Sequence, residues 1–190
     1  YTTHSPLFVG LDRFNQIRLL RKVEVSSTTP KATEVIGATL DSVAMKLWVA
    51  SGSQGDQFTG TTLAHRLHSI MTPLTNEGFF ADVVVLVEGE DDRAAVLGMA
   101  TAMNTDLESR GISVIPVGGK VSLDRPALIL REFGIPVYMI WDSDGGKGET
   151  SGICASCGRP LDTKPDPKDN HRLLRIVGKP EEDWPAQLED

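Results

Sequence analysis

Cysteine is nearly absent from this 190-residue chain, which carries only Cys154 and Cys157. Two thiols exclude a disulfide-stapled scaffold, and their spacing suits a metal or redox pair better. Long hydrophobic runs are also missing: no apolar stretch approaches the roughly 18 residues that span a bilayer. The opening residues lack the basic, apolar, small-residue order of a signal peptide. A cytoplasmic location with no membrane partner is therefore expected. Positive charge is scarce, with a net charge of −7 and a pI near 5.1. Electrostatic affinity for polyanions rests on clustered Lys and Arg, so the charge balance argues against a general polyanion binder, and DNA, if bound, would need the help of metal ions. Some of the acids then become candidate cation ligands. No GxxxxGK[ST] phosphate loop occurs, so these residues alone build no ATPase site. The chain starts at Tyr1 rather than methionine, which suggests a fragment.

What is present is an ordinary globular composition, 40% hydrophobic, enough for one main domain and a smaller satellite element. Asn15 to Val25 and Lys31 to Ile36 are β-prone runs separated by SSTTP, and together they predict a strand pair. Leu40, Val43, Leu47 and Trp48 follow helical spacing, and Leu63, Leu67, Ile70 and Leu74 repeat it, predicting two amphipathic helices. The order then alternates. Val83–Val87 is an unbroken apolar run, as expected of a parallel strand covered on both faces. A helix over 91–109 is predicted with Val96, Met99, Met103 and Leu107 inward. A strand at Ile112–Val117 ends in Gly118-Gly119-Lys120; a helix at Leu123–Phe133 and a strand at Ile135–Trp141 follow. This β-α-β-α-β series implies a parallel sheet with right-handed crossovers. Residues 145–169 are polar and rich in Gly and Pro, and a short helix resumes over Asp169–Val177.

Parallel strands point the same way, so residues that follow them gather at one sheet edge, where α/β proteins bind ligands. Glu88 and Asp142 each follow a predicted strand. If those strands are neighbours, about 4.8 Å apart, the two acids must share a proton or bind a cation, and hard oxygen donors favour Mg²⁺ or Mn²⁺. Asp92 falls in the opening turn of the next helix, where the helix dipole favours negative charge. Asp144 lies two residues beyond Asp142, so an extended backbone would send both side chains to one side. Singly, each acid reads as a helix cap or a solvent-facing loop residue; four converging on one rim read as a metal site.

VLVEGEDD at 85–92 and WDSDG at 141–145 resemble the Toprim domain of topoisomerases, bacterial primases and certain nucleases. IPVGGK at 115–120, FFADVVVLVEGEDD, and NHRLLRIVG with DWP near the end look most like the OLD (overcoming lysogenization defect) family of ATP-dependent endonucleases. TTHSP at 2–6 resembles the switch-histidine loop of an ABC-type ATPase, with His4 as the ATP γ-phosphate sensor in the full-length protein. The resemblance implies an α/β Toprim (Rossmann-like) parallel sheet flanked by helices, preceded by a small strand pair and a helical connector. It divides the chain into a C-terminal remnant of the ATPase domain (1–36), the connector (37–80) and a Toprim nuclease domain (81–190) with an insertion at 145–169. It further implies a DNA endonuclease using two Mg²⁺ or Mn²⁺ ions for phosphodiester hydrolysis. Glu88, Asp142 and Asp144 would ligate directly or through water, and Asp92 would serve the second cation. ATP binding and homodimerisation would belong to the full-length protein's ATPase domain, in phage defence or DNA repair. The helical region that follows Toprim in these enzymes, with its basic catalytic residue, is incomplete at Asp190, so the fragment alone is expected to be inactive or weakly active. The alternative is a non-catalytic Toprim module that binds metal or nucleotide, or dimerises, to regulate the attached ATPase.

Lys120, after its Gly-Gly turn at the same edge, suits a phosphate contact as well as it suits a solvated turn. Lys147, Lys164, Lys168 and Arg172 are further basic candidates for DNA. Cys154 and Cys157 have the spacing and the following glycine of one zinc knuckle. A structural zinc needs four ligands, and His171 is the nearest further one, so zinc stands beside a reduced or vestigial pair. His65 and His68 read as a solvated helix surface. Arg13, Arg18, Arg21 and Lys22 form the one sizeable basic cluster, suited either to DNA or to a solvated strand face.

Overall fold

A computed structural model describes residues 1–28, 30–53, 55–145, 153, 155–158 and 167–185. The chain separates into two compact units, Tyr1–Ile140 and Trp141–Asp190.

The first unit opens on 3-10 turns, Pro6–Phe8 and Leu11–Gln16, and the second of these occupies residues expected to begin a strand. Phe14 explains the difference. Its ring is buried and meets Phe133 edge-on at 5.6 Å, while Phe79 meets Phe133 at 5.2 Å. Folding the backbone into a turn lets Phe14 reach this cluster, and edge-to-face packing of aromatics is favourable. The strand proper is β1 (Leu19–Val23), antiparallel to β2 (Ala32–Ile36), with Arg21 opposite Glu34. Arg21 donates to the Gly134 and Ala81 carbonyls at 3.1 and 3.3 Å, Arg18 to the Asn15 and Ile17 carbonyls, and Lys22 to Thr33. Arg18, Arg21 and Lys22 are thus engaged in holding this hairpin and its flanks, while Arg13 is exposed and pairs with Asp12.

Helix α1 (Leu40–Ala50) starts at Thr39, whose hydroxyl accepts the Ser42 amide at 3.2 Å, and it buries Leu40, Val43, Ala44, Leu47 and Ala50. The second predicted helix is broken into α2 (Gly60–Ala64), α3 (Leu67–Ile70) and α4 (Pro73–Asn76). Pro73 is the cause at the last break: it has no N–H to continue a helix and disfavours α geometry in the residue before it. Thr72 is extended and caps the new helix through the Thr75 amide. Leu63 and Leu67 are buried, but His65 and His68 fall on separate pieces and are exposed.

The parallel sheet consists of β3 (Val83–Val87), β4 (Ile112–Pro116) and β5 (Val137–Ile140) in the order β4-β3-β5. Central β3 has Val84, Leu86 and Val87 completely buried, as its unbroken apolar run requires. From β3 the chain passes through α5 (Glu90–Ala102) to one neighbour, then through α6 (Asp124–Glu132) to the other. Right-handed crossovers in opposite directions put their helices on opposite faces. The strand order therefore reverses at β3, and its carboxyl end is the switch point where such sheets form a crevice.

Helix α5 is shorter than expected and rotated. It stops at Ala102, and Asn104 takes a left-handed conformation (φ 53°). Beyond it Asp106 Oδ1 accepts the Ser109 amide at 3.1 Å, just ahead of a 3-10 turn at Glu108–Arg110. Met99 and Met103 are 64% and 69% exposed rather than inward. The half-buried stripe is instead Arg93, Val96 and Ala100.

The second unit comprises the 141–145 loop, the described residues near 153–158, and α7 (Lys168–Val177) with the chain to Pro185. Leu173 and Leu174 are buried, and Gly178 (φ 75°) ends the helix in the left-handed geometry that glycine tolerates best. Among the described residues no helix is long and apolar enough to cross a membrane.

Candidate functional site

Glu88 directly follows the central strand and is half-buried. The parallel ladder continues beyond the strands: the Val87 carbonyl accepts the Val117 amide at 3.0 Å, and the Glu88 carbonyl accepts the Gly119 amide at 2.7 Å. This draws the Gly118-Gly119-Lys120 turn to the end of β3. Gly118 and Gly119 have φ of 82° and 123°, and a side chain would be strained at both. Lys120 then opens a short 3-10 turn and is half-buried. Glu88 and Lys120 therefore belong to one rim, the crevice edge of the sheet.

Asp92 lies in the first turn of α5 with Glu90 and Asp91, all favoured by the helix dipole. Its Oδ2 accepts the Gly89 amide at 2.9 Å. The side chain thus satisfies a backbone donor at the start of its own helix, the helix-cap role available to an isolated acid at this position.

In the second unit the backbone at Asp144 is left-handed (φ 61°) rather than extended, and its amide donates to Asp142 Oδ1 at 3.0 Å. The DSD sequence forms a tight turn closed by the first aspartate. Asp142 is exposed and Asp144 half-buried. Asn170 on α7, fully buried, accepts from Trp141 Nε1 at 3.0 Å and donates to the Ser143 and Asp183 carbonyls at 2.9 and 2.7 Å. Asn170 was not distinguishable in sequence, where an Asn near a helix start reads as a cap. Its only signal is its place in the NHRLLRIVG segment. The next residue, His171, pairs through Nε2 with Asp183 at 2.7 Å and through Nδ1 with Glu181 at 3.5 Å. The Arg175 guanidinium, at 2.8 Å, holds the Glu181 carboxyl below its ordinary range: its hydrogen bond outweighs the opposing desolvation, and the Arg175 and His171 charges add to the lowering.

The four acids and Lys120 are hard oxygen donors and a phosphate-matching cation, a set whose chemistry fits a divalent metal. Glu88 and Asp92 lie in the first unit, and Asp142 and Asp144 in the second. Among the described residues no group of three or more His, Cys, Asp or Glu side chains stands ready to hold a metal ion. His4 is exposed, its ring 6.3 Å from that of Phe80. Cys157 is an exposed free thiol; Cys154, Lys147 and Lys164 lie outside the described residues.

Residues 79–144 match the family described as "Overcoming lysogenization defect protein-like, TOPRIM domain". The chain is also 27% identical over 145 residues to an OLD nuclease of Thermus scotoductus, a match covering 76% of this chain and 24% of that protein. The chain thus spans about a quarter of the length of the curated relative it matches. The matched segment begins just before β3 and ends on Asp144, so both acidic motifs fall within it, and residues 79–144 form an OLD-like TOPRIM domain.

Proposed function

We propose that Glu88, Asp92, Asp142 and Asp144 hold two divalent cations, Mg²⁺ or Mn²⁺, for hydrolysis of DNA phosphodiesters. The observation that carries this reading is the strand register. β3 and β5 are parallel neighbours with Val87 paired to Ile140, so Glu88 and the DSD sequence each follow one of two adjacent strands at the switch point. The nuclease relative and the Toprim match support the reaction class. Bound cations would supply an activated water and stabilise the leaving oxygen. The chain's own residues bind and orient: Glu88, Asp142 and Asp144 ligate directly or through water, Asp92 serves the second cation, and Lys120 contacts a flanking phosphate. In the full-length protein, residues 1–36 would complete an ABC-type ATPase domain, His4 would sense the ATP γ-phosphate, and that domain would form the homodimer.

Supercoiled plasmid incubated with the chain and Mg²⁺ or Mn²⁺ should be nicked, weakly, and Glu88→Gln and Asp142→Asn should each abolish the nicking. Equal activity in the wild type and both variants would sink the proposal. The reading of a non-catalytic, regulatory module draws on one observation, that an Asp92 oxygen is already committed to the Gly89 amide. It predicts Mn²⁺ binding by calorimetry with no nicking in any variant.

A further inference from the structure

Asn170 is one of four buried polar or charged side chains among the described residues, and it has no measurable exposure. A buried carboxamide is costly unless its hydrogen-bonding groups are paired. Here the oxygen accepts from the Trp141 indole, and the nitrogen donates to two carbonyls, those of Ser143 and Asp183. The Ser143 carbonyl belongs to the peptide whose other end is the Asp144 N–H, and that N–H donates to Asp142 Oδ1. One peptide unit is therefore gripped at both ends, by Asn170 on its oxygen and by the Asp142 carboxylate on its nitrogen. The orientation of that peptide fixes the direction in which Asp144 leaves the chain. Asp144 sits at φ 61°, a conformation that costs a non-glycine residue and persists only where surrounding contacts impose it.

We infer that Asn170 is a positioning residue for the Asp142–Asp144 turn: by clamping the Ser143–Asp144 peptide it sets how the two carboxylates are presented to a divalent cation. The inference rests on the reading of these acids as cation ligands. Asn170 itself touches no cation. Its effect passes through the backbone, and Trp141 provides a third, separable anchor on the residue before the motif.

The test uses the 190-residue chain with two readouts, Mn²⁺ affinity by calorimetry and hydrogen exchange of the Asp144 amide by NMR. Asn170→Leu removes all three bonds at similar volume. Asn170→Asp keeps the acceptor for Trp141 and loses both donors. Each should weaken Mn²⁺ binding at least tenfold and speed Asp144 exchange at least tenfold, while Trp141→Phe, which spares the peptide clamp, should change both less than threefold. Circular dichroism identifies any variant that fails to fold, and the remaining one decides. A folded Asn170 variant with both quantities within twofold of wild type overturns the inference. If wild type takes up no Mn²⁺, the cation reading falls. Faster Asp144 exchange in the variants would then still establish the clamp, and unchanged exchange would overturn it too.

Discussion

Asp92 shows how a side chain proposed as a cation ligand is also used by the fold. A carboxylate has two oxygens and several lone-pair directions, so accepting the Gly89 amide through Oδ2 leaves it able to serve a cation. The capping bond makes a prediction that needs no metal. Asp92→Ala should destabilise the chain by about 1 kcal/mol in chelator, through loss of the cap and of a favourable charge at the helix start. Asp92→Asn, which keeps an acceptor, should cost about half of that. Urea denaturation in EDTA measures both, and equal stability of wild type and Asp92→Ala would show that the side chain does not cap α5. What was legible is that Glu88 and the DSD sequence each follow one of two neighbouring parallel strands, because the apolar runs that end at them mark β3 and β5. Asn170 was hidden because its work is done on distant carbonyls, and no local pattern encodes a tertiary hydrogen bond. The turn at Asp144 was hidden for a related reason: its left-handed backbone is imposed by side-chain bonds from Asp142 and Asn170, whereas periodicity presumes regular backbone.

At the scale of elements, apolar runs were the most informative feature. Val83–Val87 is a strand over the residues expected, because five consecutive apolar side chains can be buried only between two covering layers. Helix rotation was less legible. Val96, Met99 and Met103 share a helical spacing, yet so do Arg93, Val96 and Ala100, and the latter stripe is the half-buried one. Methionine hydrophobicity argued for the first stripe, but spacing alone does not decide which face of a helix turns inward. The two readings predict opposite mutational outcomes. Met99→Lys and Met103→Lys should each change stability by no more than about 0.5 kcal/mol, as ordinary surface substitutions do. Leu86→Ala on the buried central strand should cost about 2–5 kcal/mol. Thermal or urea unfolding of the three variants checks this, and a loss of several kcal/mol at either methionine would restore the inward orientation.

At the scale of the whole molecule, the question is what joins the segments that precede the parallel sheet to the sheet itself. Within the first unit the Phe14, Phe79 and Phe133 cluster supplies an apolar join, and Glu132 supplies a polar one. Glu132 lies at the end of α6. It accepts the Ser42 hydroxyl at 2.6 Å and pairs with Lys46, both on α1. Burial pulls its carboxyl upward, but the Lys46 and Ser42 hydrogen bonds together with the Lys46 charge outweigh it and hold the pKa below the ordinary 4.5. A carboxyl lowered on folding contributes stability that is fully present above its unfolded value and is lost as pH falls through the folded one. The join between α1 and α6 should therefore weaken on the acid side of 4.5. Glu132→Gln, unable to ionise, should cost about 1.5–3 kcal/mol at neutral pH, the range for hydrogen bonds to a charged group. The gap to wild type should narrow as pH drops below that value. Urea titrations of both proteins across this range measure the gap directly. A gap that stays constant with pH would mean that the Glu132 charge does not stabilise the join between α1 and α6.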